Sequence, residues 1–127
     1  MLRKIPGVLA ACAALIGASL APAAASDAKR LVTQYLGQQP HFAKALAYPD
    51  DELAEIKSVM GGWPPRPGGV EDAMHLVDDA LVDDLIAHGT PEECLASAQR
   101  WRDQGLDQIV LIPLSRNYDE IIEVFAP

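Results

Sequence analysis

Residues 89–114 read GTPEECLASAQRWRDQGLDQIVLIPL, and their two halves set the fold class. In the first half Thr90 offers an N-cap oxygen. Pro91 takes the first helical position, where a missing N–H costs nothing, and Glu93 stands at capping-box spacing. Cys94, Leu95, Ala98 and Trp101 recur at helical spacing as an inward face, Arg100, Arg102 and Asp103 point outward, and Gly105 ends the helix. In the second half Ile109-Val110-Leu111-Ile112 has no polar alternate face. Both of its sides need cover, which predicts an inner strand of a parallel sheet over Gln108–Ile112. The loop PLSRN and a last helix carrying Ile121, Ile122 and Phe125 follow.

Upstream, VEDAMHLVDDALVDDLIAHG (residues 70–89) predicts one amphipathic helix with Ala73, Leu76, Val77, Ala80, Leu81 and Leu85 as its apolar stripe. Asp78-Asp79 and Asp83-Asp84 are paired carboxylates. Adjacent helical residues do not face each other, so the pairs read as a solvated face rather than as acid–base dyads. GGWPPRPGG, Gly61–Gly69, is nearly all Gly and Pro and predicts an extended loop, with Trp63 as a packing plug. Residues 26–60 predict helices. Ser26 would cap the first, whose apolar positions are Leu31, Val32, Tyr35 and Leu36. Pro40 opens the second, and Asp50 would cap the third, which carries Leu53, Ile56 and Met60.

The N-terminus supports two readings. MLRK, then VLAACAALIGASL, then the Ala-x-Ala of APAAAS are the three parts of a secretory signal. The same residues from Val8 to about Gly17 also read as a buried strand ahead of a small-residue loop, although alanine is a poor strand former. The apolar stretch is too short for an ordinary membrane span.

Composition narrows the function classes. The chain has 127 residues, half of them hydrophobic, enough for one domain with a core. The net charge of −8 and the scattered basic residues argue against nucleic acid as a partner. Cys12 and Cys94 form no CxxC, and His41, His75 and His88 have no ligand spacing, so no metal site is expected. The expected order is strand, several helices, strand, helix. Two parallel strands with so many helices leave a sheet incomplete.

RLVTQYLGQQPHFAKAL, GGWPPR and LVDDLIAHGTPEECLASAQRWRDQGLDQIVLIPL together resemble the C-terminal part of the luciferase-like monooxygenase superfamily. The resemblance is nearest to its deazaflavin-dependent branch, the methylenetetrahydromethanopterin-reductase-like oxidoreductases. It covers roughly residues 27–127. It implies an α/β fold, a partial (β/α)8 TIM barrel made of the last two βα units with a helical insertion, mostly helical by content. Residues 7–19 then become the penultimate barrel strand, in preference to a signal peptide. Whole family barrels run to ~250 residues, so the resemblance makes this chain a C-terminal fragment of one.

What the resemblance implies for function follows. The activity is hydride transfer between a cofactor ring and a substrate at the mouth of the barrel, with coenzyme F420 or flavin mononucleotide (FMN) as cofactor. The implied chain is truncated or split, inactive alone, and cytoplasmic. Its expected partner is an N-terminal barrel piece or a second copy of itself. The carboxyl ends of the strands would hold Ala18, Ser19 and Leu20, and Leu114, Ser115, Arg116 and Asn117. Ser19, Ser115 and Arg116 are the candidate cofactor contacts, and no catalytic residue is assigned. The alternative is a small secreted helical module, with residues 1–25 removed.

Overall fold

Three short parallel strands lie side by side in the order β2-β1-β3, beneath a mostly helical chain. The computed structural model describes residues 17–19, 24–106, 111–114 and 118–126. The elements are β1 Gly17–Ser19, α1 Ala24–Gln38, α2 Pro40–Ala45, α3 Asp50–Met60 and α4 Gly69–Ala73. A 3-10 turn spans Met74–Leu76. Then come α5 Asp79–Leu85, β2 Ile86–His88, α6 Pro91–Asp103, β3 Ile112–Pro113 and α7 Tyr118–Phe125.

β1 is the middle strand. Gly17, Ala18 and Ser19 pair with Ile86, Ala87 and His88 on one side, and Gly17 and Ala18 pair with Ile112 and Pro113 on the other. The strand expected over residues 7–19 thus has its described end in β1, and the strand expected over 108–112 has its described end in β3. Residues 7–16 and 107–110 lie outside the described residues. Among the described residues β3 is an edge rather than an inner strand. Pro113, which has no N–H to donate, is compatible only with an edge position or a strand end.

The expected single helix over residues 70–89 is the main correction. It breaks after Leu76, where Val77 (ψ 130°) and Asp78 (ψ 131°) are extended. Asp78 explains the restart, because its carboxylate accepts from the Ala80 N–H at 3.1 Å and caps α5. The chain then leaves the helix at Ile86, and β2 gives its backbone groups to β1. Pairing with a strand nearly 70 residues away in sequence overrides local helical periodicity. The third strand, missing from the sequence reading, is this one. Ala80, placed on the apolar stripe, is exposed.

Smaller departures have local causes. α1 begins at Ala24, so Ser26 lies inside it rather than at its cap. Pro49, not Asp50, holds the N-cap of α3. The Gly/Pro segment is not extended. Gly61 takes a left-handed conformation (φ 84°) and donates to Lys57 O and Ser58 O, and the Arg66 N–H returns to Met60 O at 2.9 Å. Arg66 Nε reaches Val59 O, and its guanidinium pairs with Asp72 at 2.6 Å, so the segment folds back over the end of α3. Trp63 is 65% exposed and plugs nothing. Leu95, expected inward, is also exposed, as is Ile122 on the last helix.

The core has two parts. The larger gathers Val32, Leu36, Phe42, Ile56, Met60, Val70, Val77, Leu85 and Ile86 from α1 to β2. The Tyr35 and Phe42 rings meet edge-on at 6.0 Å within it. The smaller joins Ala87, Cys94, Ala98, Trp101 and Ile121. α1 serves as the hub, packing on α3, α4, α5 and both β1 and β2. Its Gly37 lets Met60 approach, since a Cβ there would collide with the thioether.

Between α2 and α3 the turn is closed by Ala47 N–H to Lys44 O and Tyr48 N–H to Ala43 O, both at 3.0 Å. Ala47 sits there at φ 49°, a region that costs an L-residue about 1–2 kcal/mol. Glycine would remove that strain but give back part of it to the unfolded chain. Ala47→Gly is therefore expected to stabilise the protein by about 0.5–1 kcal/mol, read as a higher urea midpoint. A lower midpoint would contradict the strain at this turn.

Candidate functional site at the carboxyl ends of the strands

In parallel sheets, ligands and reacting groups gather where the strands end, because the loops there carry the side chains that the scaffold leaves free. Here that edge is formed by Ser19, His88 and the Pro113–Leu114 segment. Ser19 lies directly opposite His88 in the β1–β2 register. Ser115, Arg116 and Asn117 lie outside the described residues, so of the three cofactor candidates only Ser19 is placed.

His88 is the group that the sequence reading set aside. Its Nε2 lies 2.8 Å from Asp83 Oδ1, and the His88 side chain keeps 19% exposure, so it is anchored yet reachable. Asp83 stands near the end of α5 and His88 at the end of β2, so the change from helix to strand between them brings the two together. An imidazole held by a carboxylate at a sheet edge can accept, donate or relay a proton. The only sequence signal was Gly89 directly after an Ile-Ala-His stretch, which marks a strand end as well as it marks a helix end.

The four paired carboxylates therefore do not share one role. Asp78 caps α5, Asp79 pairs with Lys29 at 2.7 Å, and Asp83 holds His88. Asp84 is half-buried. Burial pushes its carboxyl above the usual range, the Arg100 guanidinium partly offsets this, and Asp83 and Asp78 add to it.

α6 locks this edge from below. Trp101 Nε1 donates to Asp84 O at 2.9 Å, and Arg100 Nη2 donates to Asp83 O at 3.0 Å and Ser97 Oγ at 3.2 Å. The turn from β2 into α6 needs Gly89. Its φ is 107°, and a Cβ would run into the Glu93 carboxylate. The capping box expected from the sequence is complete. The Glu93 N–H donates to Thr90 Oγ1 at 3.2 Å, and the Thr90 N–H donates to Glu93 Oε2 at 2.8 Å. With Pro91 lacking an N–H and a carboxylate already in place, this helix start does not invite an anionic ligand. Thr90→Ala is expected to cost about 1 kcal/mol in a denaturation midpoint. An unchanged midpoint would show that the cap contributes nothing net.

Cys94 is buried in the smaller core. Burial, with a further push from Glu93, raises its thiol, so it is a packing residue and not a nucleophile. Cys12 lies outside the described residues. Among the described residues no three His, Cys, Asp or Glu side chains converge to hold a metal ion, and no helix is long and apolar enough to cross a membrane. No protein-family model, curated protein or solved structure matches this chain.

Proposed function

We propose that the chain is the C-terminal part of a luciferase-like oxidoreductase, with β1 and β3 as its last two barrel staves and β2 as a short rim strand beside β1. The observation that carries this reading is the parallel β1–β3 pairing, with the capped α6 leading into β3. Hydride transfer with a deazaflavin (coenzyme F420) or FMN would take place at the strand ends where Ser19 and His88 meet. The described sheet has three strands with two open edges, and a cofactor mouth needs more walls than these. A separately encoded front piece, or a second copy, would supply them.

The expected result is that the purified chain shows no tight stoichiometric binding when titrated with reduced deazaflavin or reduced FMN. Tight binding by the chain alone would overturn the idea of an inactive part. A well-behaved monomer on size exclusion that takes up no hydrophobic dye would count against both forms of partner.

The secreted reading rests on the Ala-x-Ala pattern. Cleavage after Ala25 would remove β1, the strand that joins β2 to β3, and the first two residues of α1. That loss favours retention. An intact mass from the native host that begins at Ser26 would reverse the choice.

A further inference from the structure

We propose that the groove between α2 and α3 is a binding site for a small organic anion, a phosphate or carboxylate attached to a flat apolar group. The groove has a volume of about 500 Å³, and its walls include Lys44, Ala47, Tyr48, Asp50, Leu53 and Lys57. A ligand pocket typically falls in a range of about 300–1,000 Å³.

Elsewhere in this acidic chain Lys29, Arg30 and Arg66 each hold a carboxylate, at 2.7, 2.8 and 2.6 Å. Neither lysine of the groove pairs with a carboxylate among the described residues, a state they share with Arg100 and Arg102, although α3 opens with Asp50, Asp51 and Glu52. Lys44 and Lys57 stand in the last turn of their helices, where a cation interacts favourably with the helix dipole. The dipole accounts for a cation at each helix end. It does not account for both lysines lining one concavity.

A second feature of the wall is Ala47, in the left-handed region where glycine would be free of strain. Backbone strain that persists gathers at ligand sites more than elsewhere. Ala47 lies between Lys44 and Tyr48 in this turn, and all three residues line the groove. Tyr48 and Leu53 offer apolar surface for a ring, and the ammonium groups offer donors for one anionic head. Asp50 leaves the groove with a small net positive charge. That suits a single compact anionic group and disfavours a polyanion such as nucleic acid.

The proposal is independent of the cofactor reading. An amide NMR titration of the full chain with phenyl phosphate, inorganic phosphate and neutral benzyl alcohol tests it. Phenyl phosphate is expected to give saturable shifts confined to Lys44–Leu53 and Lys57. Inorganic phosphate should bind more weakly, and benzyl alcohol should give no saturable shift. The K44Q/K57Q double variant should lose about tenfold in affinity for phenyl phosphate. Both lysines are exposed, so the variant's amide spectrum away from the groove should match that of the parent. Absence of saturation, shifts centred elsewhere, equal affinity in the double variant, or equal binding of benzyl alcohol would each overturn the proposal.

Discussion

Gly69→Ala is expected to destabilise the protein by about 3 kcal/mol, near the top of the range for a single methyl group. Gly69 opens α4 with an ordinary φ, so the backbone conformation itself would accept alanine. The obstacle is main chain. A Cβ at this position would overlap the Met60 carbonyl oxygen and stand 3.0 Å from the Met60 carbonyl carbon and from Arg66 Cγ. Met60 O already accepts from the Arg66 N–H, and Gly61 just beyond it caps α3. Relief would therefore have to lift α4 off α3 or break the loop closure. Gly62→Ala is the control. Its φ is 90°, but a Cβ there meets nothing within 4 Å. It should cost only the backbone strain, about 1–2 kcal/mol. Urea midpoints for the two variants check the difference, and equal midpoints would refute a packing role for Gly69.

Trp101→Ala is expected to cost about 3–5 kcal/mol, the usual figure for emptying a buried indole site. Trp101 is 1% exposed and is the largest fully buried side chain. It combines two contributions that a second variant separates. Trp101→Phe keeps most of the apolar contact but leaves the Asp84 carbonyl without its donor, at a cost of about 1–3 kcal/mol. A thermal or urea midpoint for Phe that falls between wild type and Ala supports the division. If Phe matched wild type, the Nε1 bond would be energetically idle. The Ala variant should also loosen the end of α5, and so broaden the NMR signals of His88, whose partner Asp83 adjoins Asp84.

Much of the helical layer was legible in the sequence because its signals are local. Thr90, Pro91 and Glu93 lie within four residues, and the cap they predict is present. Pro40 opens its helix as expected, and Gly105 ends α6 at φ 98°. The sheet was less legible. Ile86–His88 looks helical from the preceding period of apolar residues, and only its distant partner Gly17–Ser19 makes it a strand. The site followed the same pattern. Ser19 came from the family resemblance, which puts the carboxyl ends of the barrel strands at the cofactor, while His88 and Asp83 required knowledge of where α5 stops. Trp63 shows a third kind of miss: bulk and aromaticity predict burial, but the Gly/Pro loop around it folds onto α3 through Arg66 and leaves the indole outside.

The central place of β1 also fixes the order of events as the chain leaves the ribosome. Both neighbours of β1 come from far along the chain, β2 after the helices α1 to α5 and β3 later still. Closing so wide a loop is slow compared with packing helices that follow one another. The nascent protein therefore has time to dock α1 with α2, α3 and α4 before its sheet exists. Until Pro113 is released, the edge of β1 that β3 will take stays unpaired even after β2 has docked on the other side, open to any other strand that reaches it first.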